Sequence, residues 1–210
     1  MPSKKRKSPK NFKVLANFVY ESGILAKTPR SGLWFLGTGT QSVAEHLFRT
    51  TMIGYVMSHL VPEANKERLL FLCLVHDFGE GRTSDLNYVH QKYGRLAEGQ
   101  ALQDIAKELP FGHELLDAYT EEQGRQTLEA KLAKDADRLE WIATLREEAV
   151  KGNVKADKWA ARALKGVKTP IGKKLGKFLL STHPDDWWFH EDDQWYVSRD
   201  PKSKVWRSRS

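Results

Sequence analysis

Residues 69–80 read LLFLCLVHDFGE: seven apolar side chains in a row, then His76-Asp77, then a phenylalanine, a glycine and a glutamate. A stretch this uniform on a helix is buried on most sides, and it falls well short of the ~20 residues that cross a bilayer. Asp is seldom set beside a buried segment unless it is paired, hydrogen-bonded or bound to a metal. Helical spacing puts Glu80 four residues past His76 and three past Asp77, on the same side. Asp85 follows one loop later. Imidazole and carboxylates converging in this way suit a divalent cation such as Zn²⁺, Mn²⁺ or Co²⁺. The plainer alternative is a His-Asp pair that caps the helix end.

The rest of the chain supports a helical setting for that segment. Ser42 reads as an N-cap with Glu45 three residues later, a capping-box pattern that opens a helix running to about Leu60. Pro62 reads as the entry to the helix that carries His76, expected over 63–78 and stopped by Gly79 and Gly81. Further helices are expected over 14–20, 94–108, 111–123, 128–150, 156–164 and 171–180, with Gly23, Pro110, Gly124, Gly152, Gly166 and Pro170 as punctuation. No stretch alternates strongly enough to read as a sheet, so the class is all-α.

Two other places offer ligands. His46 lies on the apolar stripe of the helix that Ser42 caps, where a lone histidine is most simply a satisfied core residue. In 134–138, KDADR, two aspartates interrupt a long helix among Leu132, Leu139 and Ile142, and Asp is a poor helix former that asks for a reason. Periodicity leaves the choice open. Asp135 shares the leucine stripe, whereas Asp137 shares a face of small residues, Ala130, Ala133 and Thr144, with room for a ligand. A salt bridge to Lys131, Lys134 or Arg138 would satisfy either one.

Composition narrows the function classes. The net charge of +7 comes from the ends: residues 1–13 hold six basic groups and no acid, 199–210 are also basic, and 182–198 carry five acids and no Lys or Arg. The middle is close to neutral, so the charge reads first as a solubility device and second as a handle for nucleic acid. KKRK at 4–7 is a weak nuclear-import pattern. The single cysteine, Cys73, excludes an intrachain disulfide and any multi-cysteine zinc cluster. No apolar run has the length of a membrane span and no secretory leader is evident, so a cytoplasmic protein without membrane contact is expected. Four of the seven tryptophans, Trp187, Trp188, Trp195 and Trp206, crowd the last 24 residues. Rings this dense are costly to leave in water and are expected to fold back onto the body or to meet a partner.

In order along the chain, SVAEH at 42–46, LVHDFGE at 74–80 and KDADRLEW at 134–141 resemble the HD-domain metal-dependent phosphohydrolases. Within them the chain is similar to the branch of 5′-deoxynucleotidases, with the likeness extending to PRSGLW at 29–34 and THPDDWW at 182–188. The resemblance implies an HD helical bundle over 14–188, between a basic tail, 1–13, and a Trp-rich charged extension, 189–210. It implies a divalent metal (Co, Mn, Zn or Mg) held by His46, His76, Asp77 and Asp137, which selects between the two aspartates. It further implies a catalytic Glu80, a sugar-facing Asp85, and substrate contacts from Arg30 and Trp34. The expected activity is removal of the 5′-phosphate from (deoxy)nucleoside 5′-monophosphates by a homodimer. The alternatives are hydrolysis of another nucleotide, a triphosphate or an alarmone, and nucleic-acid binding through the basic tails with the helical core as scaffold.

Overall fold

A computed structural model describes residues 11–189, and these contain helices and turns but no sheet. The helices are α1 (Phe12–Ser22), α2 (Gly32–Leu36), α3 (Val43–Leu60), α4 (Lys66–Val75), α5 (Glu80–Thr83), α6 (Glu98–Ala106), α7 (Gly112–Gly124), α8 (Leu128–Val150), α9 (Val154–Leu164) and α10 (Pro170–Ser181). The one pairing of extended backbone among the described residues is an isolated antiparallel bridge between Pro29 and Ser42. No described helix is long and apolar enough to cross a membrane.

α8 is the axis of the fold. It packs against α3, α4, α7, α9 and α10, and Leu132, Leu139, Ile142 and Leu145 on it are fully buried. Thr127 caps its first turn by accepting a hydrogen bond from Ala130 N–H. α3 starts at the capping box that the sequence foretells, with Ser42 and Glu45 each bonding the other's backbone. It then crosses α4 so closely that a Cβ on Gly54 would lie 2.7 Å from Cys73 Sγ. A side chain at Gly54 would push α3 and α4 apart at this crossing.

Several boundaries differ from the sequence reading. α4 begins at Lys66, because the Asn65 side chain accepts from Arg68 N–H and makes the cap, while Pro62 stays in the turn before it. The helix ends at Val75, and residues 76–79 continue as turns into α5. Gly79 therefore does not stop the chain: its backbone stays right-handed at φ −60°. What it gives is space, since a Cβ there would sit 3.1 Å from the carbonyl oxygen of Glu98. α6 is shorter than expected, starting at Glu98, and α9 starts earlier, behind an Asn153 cap.

Trp187 is 83% exposed and Trp188 is 46% exposed. Trp187 is thus left largely uncovered by the described body, and of the two expected settings, body or partner, a partner is the one that remains for it. The basic stretch 1–10 and, with Trp195 and Trp206, residues 190–210 of the extension lie outside the described residues.

Candidate metal centre and substrate rim

His46 from α3, His76 and Asp77 from the end of α4, and Asp137 from α8 meet at one point. One ligand atom from each of His46, His76 and Asp77 lies within 4.8 Å of the other two. His46 Nε2 is 3.4 Å from His76 Nε2, 3.5 Å from Asp77 Oδ2 and 3.4 Å from Asp137 Oδ1. The outer ring nitrogens are occupied: His46 Nδ1 lies 2.6 Å from Glu140 Oε2, and His76 Nδ1 lies 3.0 Å from the carbonyl of Cys73. A carboxylate and a carbonyl can only accept, so each Nδ1 carries a proton and both Nε2 atoms face inward.

Two lone pairs and two carboxylates aimed at one spot repel each other unless a positive charge sits among them. Burial works against an imidazolium at His76, yet Asp77 and Asp137 overcome it and push that pKa up to about 9. Asp77 is itself held far below the usual carboxylate range: burial would raise it, but His76, His46 and Arg30 prevail. Asp137 behaves likewise, with Lys134 and the two histidines outweighing burial. Two imidazole Nε2 atoms and two carboxylates form a donor set that fits a divalent cation of the zinc, manganese or cobalt kind, whose charge would take the place of the proton on His76.

The structure also separates the two aspartates that periodicity left open. Asp135 is fully buried and accepts from the backbone N–H groups of Lys168 (2.9 Å) and Thr169 (2.7 Å), so it anchors the loop that enters α10. Asp137 faces the cluster, and its other oxygen takes a 2.7 Å bond from Lys134 Nζ.

Glu80 opens α5 beside the cluster. It is 6% exposed, and its Oε2 has no hydrogen-bond partner among the described residues. Burial, then Asp77 and Asp85, pushes its carboxyl up to about 10. Arg30 reaches in from the loop before α2. The loop is zipped to the start of α3 by Arg30 N–H to Gln41 O (2.8 Å) and Val43 N–H to Thr28 O (2.9 Å). Its guanidinium lies 3.2 Å from Asp77 Oδ2. Burial disfavours its charge, but Asp77, Asp137, Asp85 and Glu80 hold it firmly cationic.

Asp85 is tied to the same loop. Its Oδ2 accepts from Ser31 N–H (2.5 Å) and from Ser31 Oγ (3.0 Å), and among the described residues its Oδ1 has no hydrogen bond. Asn87 Nδ2 donates to Ser31 Oγ (3.2 Å) and to His90 Nδ1 (3.0 Å). Trp34 and Phe35 stand edge-on to His90, with centroids 6.2 and 6.1 Å away, and Trp34 is 58% exposed. Asp85 and Trp34 thus lie along one rim.

The sequence reading missed Glu140, Gln41, Ser31, Asn87 and His90. Glu140 left a signal, a glutamate one turn past Asp137 on the same face of small residues, among Ala133, Ala136 and Thr144. The others left none, because they act through loops whose course the sequence does not reveal.

Residues 22–178 match a family model described as HD domain. The chain is 29% identical over 154 residues to the 5′-deoxynucleotidase hdd1 of Schizosaccharomyces pombe, covering 67% of this chain and 77% of that protein. It is 30% identical over 140 residues to the 5′-deoxynucleotidase HDDC2 of Danio rerio, covering 63% and 68%. Among solved structures, a conserved hypothetical protein from Pyrococcus furiosus superposes with a TM-score of 0.69 at 28% identity, covering 79% of this chain and 97% of that one.

Proposed function

The chain belongs to the HD-domain family, and from that premise we propose that it is a divalent-metal-dependent phosphohydrolase that removes the 5′-phosphate from (deoxy)nucleoside 5′-monophosphates. The observation that carries this reading is the pair of inward-facing Nε2 atoms, 3.4 Å apart, between Asp77 and Asp137. The similarity to two 5′-deoxynucleotidases supports the substrate class. In this reading residues 14–188 form the catalytic domain, flanked by the tail 1–13 and the extension 189–210.

His46, His76, Asp77 and Asp137 would hold the cation. When bound, it supplies charge neutralisation for phosphoryl oxygens and lowers the pKa of water towards neutrality. Arg30, a half-buried cation beside Asp77, offers a forked grip on the phosphate. As the oxygen of water bonds to phosphorus and the P–O5′ bond breaks, Glu80 places a proton on the departing O5′ and recovers one from the water. Its buried Oε2, without a hydrogen-bond partner among the described residues, suits that exchange. Asp85, anchored by Ser31, is set to accept a hydrogen bond from a sugar hydroxyl at Oδ1. Its charge and position crowd a 2′-hydroxyl, which favours deoxyribose. Trp34 supplies a ring for the base.

The test is a product screen. Chelator-stripped protein, reloaded in turn with Co²⁺, Mn²⁺, Zn²⁺ or Mg²⁺, is offered nucleoside mono- and triphosphates. Free phosphate with nucleoside from monophosphates supports the reading. Pyrophosphate or triphosphate as the product moves the chain to the alternative nucleotide class, and release of neither overturns the assignment.

We propose further that the chain forms a homodimer through the outer face of α3. Phe48 (68% exposed), Met52, Tyr55, Val56 and Leu60 line that face at helical spacing. A stable pair needs ~800 Å² from each copy, and these five side chains supply roughly half of it as an apolar centre. A Phe48→Glu, Val56→Glu variant should sediment as a monomer with its helical content intact. A monomeric parent would remove the proposal.

A further inference from the structure

We infer that Glu140 is a positioning residue for the proposed metal centre: it sets the tautomer and aim of His46 and, through Gln41, ties the Arg30 loop to the same anchor. The inference deepens the reading above and rests on it for the identity of the site, but its first test needs neither metal nor substrate.

Glu140 lies one turn beyond Asp137 on α8 and is 0% exposed. A carboxylate in such a place is very costly unless its lone pairs are met. Here they are. Oε2 takes His46 Nδ1 at 2.6 Å, and Oε1 takes Gln41 Nε2 at 2.6 Å and Thr144 Oγ1 at 3.0 Å. Because Glu140 accepts, the His46 proton is confined to Nδ1 and the ring presents the Nε2 lone pair to His76, Asp77 and Asp137. A partner behind a ligating histidine orients the ring and raises its basicity, and losing such a partner typically costs ~10–100-fold in metal affinity.

Gln41 extends the device. Its side chain holds Glu140, and its backbone carbonyl holds Arg30 N–H at 2.8 Å. One residue therefore links the histidine of the cluster to the loop that brings the guanidinium. A glutamate that merely joined α3 to α8 would need no such continuation into the loop, and its removal would change stability without changing the cluster.

The experiment combines histidine ¹⁵N NMR with Co²⁺ titration. In the metal-stripped parent, His46 should be the Nδ1–H tautomer, and an Nε2–H tautomer overturns the inference. This measurement stands even if variants at Glu140 fail to fold. Glu140→Gln keeps the shape and removes the charge. It should weaken Co²⁺ binding by ~10–100-fold and shift the visible absorption of the bound ion. Affinity and spectrum equal to the parent's would overturn the inference. Gln41→Leu should weaken binding of inorganic phosphate more than it weakens Co²⁺, and the reverse order would break the proposed link to the loop. A parent that binds Co²⁺ tightly yet releases no phosphate from any nucleotide would end the proposed function while leaving the role of Glu140 intact.

Discussion

Around His46 the side chains come from α3, the end of α4 and α8, and their outer atoms are already held: Glu140 and Cys73 behind the two rings, Lys134 behind Asp137. Around Trp34 the chain is loop and short helix. The rings of Trp34, Phe35 and His90 are exposed to solvent, and the polar contacts there run through Ser31 and Asn87. The difference separates two tasks. A cluster that must bring lone pairs and negative charges together depends on rigid neighbours, because small displacements of close charges in a buried site are expensive. A rim that receives a base and a sugar can be open, since stacking and single hydrogen bonds tolerate movement.

That contrast can be broken from either side, and the cluster should give the larger effects. His76→Ala or Asp77→Ala removes a proposed ligand, and turnover should fall by ~10³ or more together with bound metal. Circular dichroism should still report the helices, and full activity in Asp77→Ala would sink the ligand assignment. Glu80→Gln sits at the edge of the cluster. Turnover should drop by ~10²–10⁴ while metal content stays at the parent's level. If metal leaves in proportion to activity, Glu80 is a ligand and the proton takes another route.

The rim should respond more mildly. Trp34→Ala should leave metal content unchanged and raise KM for a deoxynucleoside monophosphate by ~10-fold, the scale of one lost stacking contact. An unchanged KM would place the base elsewhere. Asp135→Ala sharpens the comparison from outside both regions. It should cost ~1–3 kcal/mol of stability, because two backbone donors at the start of α10 lose their acceptor. Calorimetry reads that loss, and metal content should be unaffected. Metal loss equal to that of an Asp137 variant would mean that the wrong aspartate was chosen.

Much of the cluster was legible in the sequence because its residues lie on or at the ends of long helices, where spacing converts directly into shared faces. His76-Asp77 announced itself by following seven apolar residues, and the capping box placed His46. Spacing could not separate Asp135 from Asp137. The partner of Asp135 is the backbone of residues 168–169, more than 30 positions away, and local pattern carries no trace of it. Glycine was misread for a related reason. Gly79 looked like a stop, but its role is a close approach to Glu98 that only tertiary packing creates. Ser31, Asn87 and His90 show the limit most clearly: each is an ordinary loop residue until folding brings 31 and 85–90 side by side.

The most direct measurement of the central claim, that these four side chains hold a cation on which phosphate release depends, is metal analysis paired with phosphate release. Chelator-stripped parent and Asp137→Ala are reloaded with Co²⁺, desalted, and assayed with a deoxynucleoside 5′-monophosphate. The parent should regain one cation per chain and its activity together, and Asp137→Ala should regain neither. Undiminished phosphate release by the stripped parent, or parent-like metal content in Asp137→Ala, would contradict the account.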